Sequence, residues 1–127
     1  MDPVAERDPA ACAILVVEDD HDSRVLIRTA LEDEGYVVHT AANGRVAVEL
    51  LSSLPDPPRL VIVDLHMPVM DGWELMGYLR QHPALRLIPV GVQSADADIT
   101  LPEGISFVLE KPVDLHALLT VVRHHCG

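Results

Sequence analysis

Short apolar runs, rich in β-branched residues, alternate along this chain with stretches whose apolar residues recur at helical spacing. The runs cover residues 13–17, 59–63, 87–92 and 105–109, with a weaker one at 36–41. Strands that are apolar on both faces are typical of a parallel sheet covered by helices on both sides. The alternation therefore predicts an α/β fold with right-handed crossovers.

Four stretches between or after these runs have the periodicity of amphipathic helices. The first covers about residues 22–34 and stops before Gly35, a residue type that favours helix C-termini. Asn43, Asp71 and Asp114 have side chains suited to N-caps and precede the other three helices. The residues predicted to face the core are Ile27, Ala30, Leu31, Ala47, Leu50, Leu51, Leu54, Leu75, Met76, Leu79, Leu115, Leu118, Leu119 and Val122.

This order of elements favours a flavodoxin-like, doubly wound sheet of five parallel strands in the order 2-1-3-4-5. Between the last two strands, residues 95–104 include Pro102 and Gly104 and show little helical periodicity. We therefore expect the fourth helix of this fold to be shortened or missing. Residues 1–11 are predicted to form a flexible N-terminal tail, which leaves 12–127 as one domain.

The net charge of −11, from 20 acidic and 9 basic residues, restricts the partners of this chain. Binding to nucleic acid or to anionic membranes relies on Lys and Arg, so neither class of partner is expected. No apolar run approaches the roughly 18 residues of a membrane span, and the N-terminus lacks the apolar segment of a signal peptide. One disulfide between Cys12 and Cys126 is conceivable, but a reduced, cytoplasmic protein is the default expectation.

Three carboxylates follow two of the predicted strands, Glu18 and Asp19 after the first and Asp64 after the third. In a doubly wound sheet the carboxyl ends of strands 1 and 3 meet at the switch point, which is the usual site of ligands. Carboxylates that converge there repel one another, and a hard divalent cation such as Mg²⁺ relieves that repulsion. A carboxylate beside Mg²⁺ can also act as a nucleophile toward phosphorus and form an aspartyl phosphate.

Two further residues complete a site of this kind. Ser94 ends the fourth predicted strand and offers a hydroxyl donor, while Lys111 follows the fifth and is the only lysine in the chain. Both groups can stabilise the equatorial oxygens of a transferring phosphoryl group. The pattern therefore predicts phosphoryl-transfer chemistry at the carboxyl edge of the sheet.

Four segments of the chain, at residues 16–20, 64–72, 94–95 and 111–112, resemble the motifs of the response-regulator receiver domain of two-component signalling. The resemblance extends over about residues 13–125. It implies a phosphoacceptor that receives a phosphoryl group from a histidine kinase or a histidine phosphotransfer protein and acts on a downstream protein target. Such a domain is not an enzyme for a separate metabolite, because it catalyses only its own phosphorylation and dephosphorylation. The chain could be a stand-alone regulator or part of a larger protein.

The resemblance also implies a role for each site residue. Asp64 is the phosphoacceptor, Asp19 binds Mg²⁺ directly and Glu18 acts through a metal-bound water. The backbone carbonyl of His66 is the third protein ligand of Mg²⁺. Ser94 and Lys111 contact the phosphoryl group, and before phosphorylation Lys111 pairs with Asp64. The peptide bond between Lys111 and Pro112 is expected to be cis. The side chain of His66 either faces the phosphoryl group or is an exposed bystander.

The region around the last strand departs from the family pattern. The family places Tyr or Phe three residues before its lysine, where it reports phosphorylation, and this chain has Val108. Phe107 is adjacent, but neighbouring strand residues point to opposite faces. Either signalling works through backbone movement alone, or a local bulge brings Phe107 into register. A homodimer is possible, but the short 95–104 segment puts the family's usual dimer surface in doubt.

Two other functions compete with the phosphoacceptor interpretation. The first is a receiver-like docking module that ignores phosphorylation, which Val108 and the short segment favour. The second is a phosphatase with an aspartyl nucleophile. Phosphatases of the haloacid-dehalogenase type need a second Asp two residues after the nucleophile, and His66 stands there instead. The phosphatase interpretation is therefore disfavoured.

Overall fold

The structure, a computed structural model, describes residues 12–66, 70–95 and 104–126. The expected tail at 1–11 and most of the expected short segment, residues 96–103, lie outside these ranges. None of the helices within them is long and apolar enough to cross a bilayer. The elements in order are β1 (Ala13–Val17), α1 (His21–Asp33), β2 (Val37–Ala41), α2 (Gly44–Ser53), β3 (Leu60–Asp64), α3 (Gly72–Gln81), β4 (Val90–Ser94), β5 (Phe107–Glu110) and α4 (Leu115–Cys126).

The five strands form one parallel sheet in the order β2-β1-β3-β4-β5. This confirms the predicted flavodoxin-like topology. Val17 pairs with Val63, Asp64 pairs with Gln93, and Ser94 pairs with Glu110. The strands that precede the predicted site residues therefore end at one edge of the sheet.

Helices cover both faces of the sheet, as the two-sided apolar strands predict. On one face α2 and α3 pack on alternate residues of the strands, and on the other face α1 and α4 pack on the residues between them. Of the residues predicted to face the core, Ala30, Leu50, Leu54, Leu115 and Leu119 are half-buried and the others are buried.

The predicted helix ends are confirmed. Asn43 and Asp71 each accept the backbone N–H group three residues later at 2.9 Å. Asp114 accepts the N–H group two residues later at 2.9 Å. Gly35 follows α1 with φ 93°, a left-handed conformation that costs glycine little because it has no Cβ.

Two predicted strands are displaced along the chain. The fourth begins at Val90 rather than at residue 87, since Leu87 lies in a turn after α3 and is 85% exposed. The fifth spans Phe107–Glu110 rather than 105–109. Apolar character alone predicted both starts too early, because it does not distinguish a turn from the strand that follows it.

The two cysteines are paired, in contrast to the reduced state expected as the default. The Sγ atoms of Cys12 and Cys126 are bonded, and their Cα atoms lie 5.8 Å apart, within the usual range for a disulfide. The bond joins the residue before β1 to the last residue of α4. Composition could not decide this pairing, because it depends on where the two ends of the domain meet.

Candidate functional site

Three carboxylates meet at the carboxyl edge of the sheet. Oxygen atoms of Glu18, Asp19 and Asp64 lie within 4.8 Å of one another. Glu18 is 0% exposed and Asp64 is 3% exposed, whereas Asp19 is open to solvent. The structure thus brings together the three acidic residues that the strand ends predicted.

The backbone explains why Glu18 turns into this cluster. Its N–H group donates to the carbonyl of Ala41 at 3.0 Å, which continues the pairing of β1 with β2 by one residue. Its Oε1 atom accepts the N–H group of Asp20 at 3.1 Å. Asp20 itself accepts the N–H group of Ser23 and caps α1. The acidic loop, residues 18–20, is therefore the junction of a strand and a helix.

Lys111 lies within reach of both buried carboxylates. Its Nζ atom donates to Asp64 Oδ2 at 2.6 Å and to Glu18 Oε1 at 3.3 Å. Its backbone N–H group donates to the carbonyl of Ser94 at 3.0 Å, which extends the pairing of β4 with β5. The peptide bond between Lys111 and Pro112 is cis, as expected.

His66 holds Asp64 through its backbone. Its N–H group donates to Asp64 Oδ1 at 3.0 Å, so both carboxylate oxygens of Asp64 accept a hydrogen bond. The imidazole ring is exposed and meets the ring of Trp73 edge-on, with centroids 5.5 Å apart. A Cβ atom on Gly72 would lie 2.9 Å from the Cα atom of Leu65 and 3.0 Å from the carbonyl oxygen of Asp64, so a larger residue there would force the backbone beside the site to shift.

The electrostatics follow from burial and from the neighbouring charges. Burial, and then the negative charge of Asp64, raise the pKa of Glu18 above its ordinary value of 4.5, although Lys111 opposes the shift. Burial lowers the pKa of Lys111, but the hydrogen bond and charge of Asp64, together with Glu18, outweigh it and raise that pKa. The site therefore holds more negative charge than its one ammonium group neutralises.

These residues fit a divalent cation. Glu18 Oε2 is buried and, among the described residues, receives no hydrogen bond, although Lys111 Nζ lies 3.2 Å away. Lys111 is shared with Asp64, so one ammonium faces two buried carboxylates, and an acceptor without a hydrogen bond costs further free energy. Carboxylate oxygens are the ligands that Mg²⁺ prefers, so the cluster of Glu18, Asp19 and Asp64 suits that ion.

Ser94 lies at the same edge and is 5% exposed. It is the last residue of β4, next to the strand that ends in Asp64. The structure therefore places all of the sequence-predicted site residues at the ends of β1, β3, β4 and β5, or in the loops that follow them.

The last strand settles the question of Phe107 and Val108. Gly91 pairs with Phe107 and Val92 pairs with Val108 in regular register, so the described part of β5 contains no bulge. The Phe107 ring lies over Gly91 and 5.3 Å from the ring of His125, on the face covered by α1 and α4. Val108 is 43% exposed. The alternative of a bulge that brings Phe107 into register is therefore wrong.

Two residues near the site were not predicted from the sequence. Arg24 of α1 donates to the backbone of the acidic loop, with Nη1 2.8 Å from the carbonyl of Glu18. Gln93 is fully buried, and neither atom of its carboxamide has a hydrogen-bond partner among the described residues. Neither was visible in the apolar pattern. The only signal for Arg24 in the sequence is its position as a basic residue one turn after the Asp20 cap.

Comparison with known proteins identifies relatives over nearly the whole chain. Residues 14–123 match the model of the response regulator receiver domain family. An uncharacterised 14.6 kDa protein of Leptolyngbya boryana is 40% identical over 118 residues, which are 89% of this chain and 88% of that protein. The sensor kinase CckA of Brucella abortus is 37% identical over 116 residues, which are 89% of this chain but 12% of the kinase.

Solved structures show the same fold. The receiver domain of the sensor histidine kinase PA1611 from Pseudomonas aeruginosa superposes with a TM-score of 0.82 at 26% identity, covering 91% of this chain and 98% of that one. That structure has a magnesium ion coordinated in its active-site cleft. The acidic cluster of Glu18, Asp19 and Asp64 is the feature of this chain that invites comparison with that cleft.

Proposed function

This chain belongs to the response regulator receiver domain family, and from that premise we propose that Asp64 accepts a phosphoryl group from a histidine kinase or a histidine phosphotransfer protein. The observation that carries the proposal is the placement of Asp64. It is almost fully buried, lies within 4.8 Å of two other carboxylates and has the chain's one lysine at 2.6 Å. A carboxylate that served only as a surface turn residue would not be surrounded in this way.

The chemistry uses the residues already in contact with Asp64. An oxygen of its carboxylate attacks phosphorus, the new O–P bond forms, and the N–P bond to the donor's imidazole breaks with its electron pair left on nitrogen. The Lys111 ammonium exchanges its hydrogen bond with Asp64 for one with a phosphoryl oxygen. The hydroxyl of Ser94 donates to another phosphoryl oxygen.

Glu18, Asp19, Asp64 and the backbone carbonyl of His66 would hold Mg²⁺. When bound, the ion neutralises negative charge on the carboxylates and on the phosphoryl oxygens. The buried Oε2 atom of Glu18 supports this part of the proposal, as does the magnesium ion in the Pseudomonas aeruginosa relative. The excess negative charge of the site would otherwise oppose the approach of a phosphoryl group.

The domain would act in the cytoplasm as a switch. It turns over no separate metabolite, and its output is contact with a downstream protein, which the charge of −11 makes more suitable than nucleic acid or an anionic membrane. The similarity to the receiver domain of the sensor histidine kinase PA1611 supports a histidine kinase as the donor.

One observation favours a second function, that of a docking module independent of phosphorylation. Val108 stands where the family has the aromatic residue that reports phosphorylation, and β5 keeps regular register. A valine has no ring to swing between two positions, so this chain lacks the family's usual side-chain reporter. In the docking alternative the phosphorylation residues would be retained without use.

Intact-mass spectrometry after incubation with a small-molecule phosphodonor distinguishes the two functions. We expect the wild type to gain one phosphoryl mass only when Mg²⁺ is present, and Asp64→Asn to gain none. Asp56→Asn, which alters an exposed loop carboxylate, is the matched control and should behave like the wild type. The proposal fails if Asp64→Asn still gains the mass. It also fails if the wild type gains none from either the small donor or a phosphorylated histidine phosphotransfer protein.

A further inference from the structure

Arg24 contacts three consecutive carbonyl groups of the acidic loop. Its backbone N–H group donates to the carbonyl of Asp20 at 2.9 Å, as part of the first turn of α1. Its Nη1 atom donates to the carbonyl of Glu18 at 2.8 Å and lies 3.4 Å from that of Asp19. Nη2 lies 3.2 Å from His21 Nδ1. Among the described residues, its guanidinium forms no ion pair with a carboxylate.

The loop needs such a partner for its backbone. Glu18 is the last residue whose N–H group pairs with β2, so the carbonyls of Glu18 and Asp19 have left the hydrogen-bond pattern of the sheet. A guanidinium offers several N–H groups in one rigid plane and keeps its charge at all relevant pH values. One half-buried side chain can therefore hold two successive peptide groups in fixed orientation.

From this geometry we propose that Arg24 is a positioning residue for the divalent-cation site. By holding the backbone of residues 18–20, it keeps the carboxylates of Glu18 and Asp19 beside Asp64 before the ion arrives. The inference rests on the proposed function, because it assumes that these carboxylates bind Mg²⁺. It extends that function to a residue that contacts neither the ion nor the phosphoryl group.

Positioning and charge predict opposite effects of removing Arg24. A positive charge close to the site repels a cation, so its loss would by itself strengthen Mg²⁺ binding. Loss of positioning would weaken binding, since groups that orient metal ligands typically contribute 10- to 100-fold in affinity. The sign of the change therefore reports which effect dominates.

The test is a calorimetric titration of the full chain with Mg²⁺. Arg24→Gln should weaken binding about tenfold. Arg28→Gln is the matched control, because it removes the same charge from the next turn of α1. Arg28 Nε lies 3.6 Å from Glu32 Oε1, and the pair does not involve the acidic loop. That control should bind Mg²⁺ at least as tightly as the wild type. Arg24→Lys keeps the charge but not the planar group, so we expect an affinity between those of the wild type and Arg24→Gln.

Equal or tighter binding by Arg24→Gln than by Arg28→Gln would overturn the inference. The free energy of unfolding, measured without divalent cations, shows whether each variant is folded. If Arg24→Gln is unfolded, the comparison of Arg24→Lys with the wild type decides, and unchanged affinity overturns the inference. A wild type that binds no Mg²⁺ overturns both the inference and the proposed function. A wild type that binds Mg²⁺ but accepts no phosphoryl group overturns the proposed function alone.

Discussion

Two regions of the sheet differ in how their buried groups are satisfied. The first is the acidic cluster at the ends of β1 and β3, and the second is the contact between β4 and β5. At the first, Glu18 and Asp64 are buried like charges that share one ammonium group. At the second, the ring of Phe107 covers Gly91, and the contact is apolar and close. Substitutions should therefore have opposite effects on stability: relief at the acidic cluster and damage at the packed pair.

The same two regions differ in how closely they follow the receiver family. The acidic cluster has the residues that the resemblance predicts at the ends of the expected strands, whereas β5 has Val108 where the resemblance implies an aromatic residue. The proposed chemistry and its proposed readout would thus depend on side chains of different strands within one sheet. Three tests, two of them with a control, probe this division from the largest expected effect to the smallest.

Gly91→Ala should cause the largest loss of stability. A Cβ atom there would overlap the ring of Phe107, and overpacking of this kind costs about 2 kcal/mol. Urea denaturation measures the change in the free energy of unfolding. Phe107→Leu in the same chain should restore part of the loss, because the smaller side chain leaves space for the methyl group.

Gly77→Ala is the matched control for Gly91. Among the described residues, no atom beyond Gly77's chain neighbours and its own helical backbone lies within 4 Å of a Cβ at this position in α3, so alanine should stabilise the helix by up to about 1 kcal/mol. Equal effects of the two substitutions would show that Phe107 does not pack on Gly91 as described.

Glu18→Gln should stabilise the metal-free domain at neutral pH, by less than Gly91→Ala destabilises it, because the amide removes a buried negative charge beside Asp64. Folding raises the pKa of Glu18, so the contribution of this group to the free energy of unfolding is fully present below pH 4.5. That contribution is lost as the pH rises through the pKa of the folded state. The advantage of the glutamine variant should therefore grow from pH 4.5 toward neutral pH. Thermal unfolding at several pH values measures it.

Saturating Mg²⁺ provides the control for this pH series. A ligand that binds only the folded state stabilises it, and the variant has lost one of the carboxylates proposed to hold the ion. The wild type should therefore recover the difference when Mg²⁺ is added. If the advantage of Glu18→Gln did not depend on pH, burial and repulsion of the charged Glu18 would not be its cause.

Val108→Tyr should have the smallest effect. The side chain is 43% exposed, and surface substitutions usually change stability by less than about 0.5 kcal/mol. We also expect the rate of Mg²⁺-dependent phosphorylation to stay the same, since this residue does not touch the acidic cluster. A tyrosine that changed this rate several-fold would show that β5 and the acidic cluster are coupled and not independent.

The fold was predictable because its signal is local and repeated. Apolar runs and helical periodicity identified five strands and four helices, and the caps Asn43 and Asp71 marked where helices begin. Boundaries were less predictable, as Leu87 shows. It is apolar but exposed, because the turn before β4 directs it to solvent.

The sequence by itself determined which residues gather at the carboxyl edge. In a parallel sheet the strand order places the residues after β1 and β3 side by side, so Glu18, Asp19 and Asp64 had to meet. Lys111 was predictable in the same way, as the one lysine after the last strand. These predictions depend only on the order of elements, which the apolar pattern sets.

Only the tertiary structure decided which atoms of those residues are in contact. It placed Lys111 between two carboxylates, turned Phe107 onto Gly91, joined Cys12 to Cys126 and brought the guanidinium of Arg24 to the carbonyl of Glu18. Each of these contacts depends on angles and distances between elements. Periodicity records which face of an element is buried, but it contains no information about the partner on the other side.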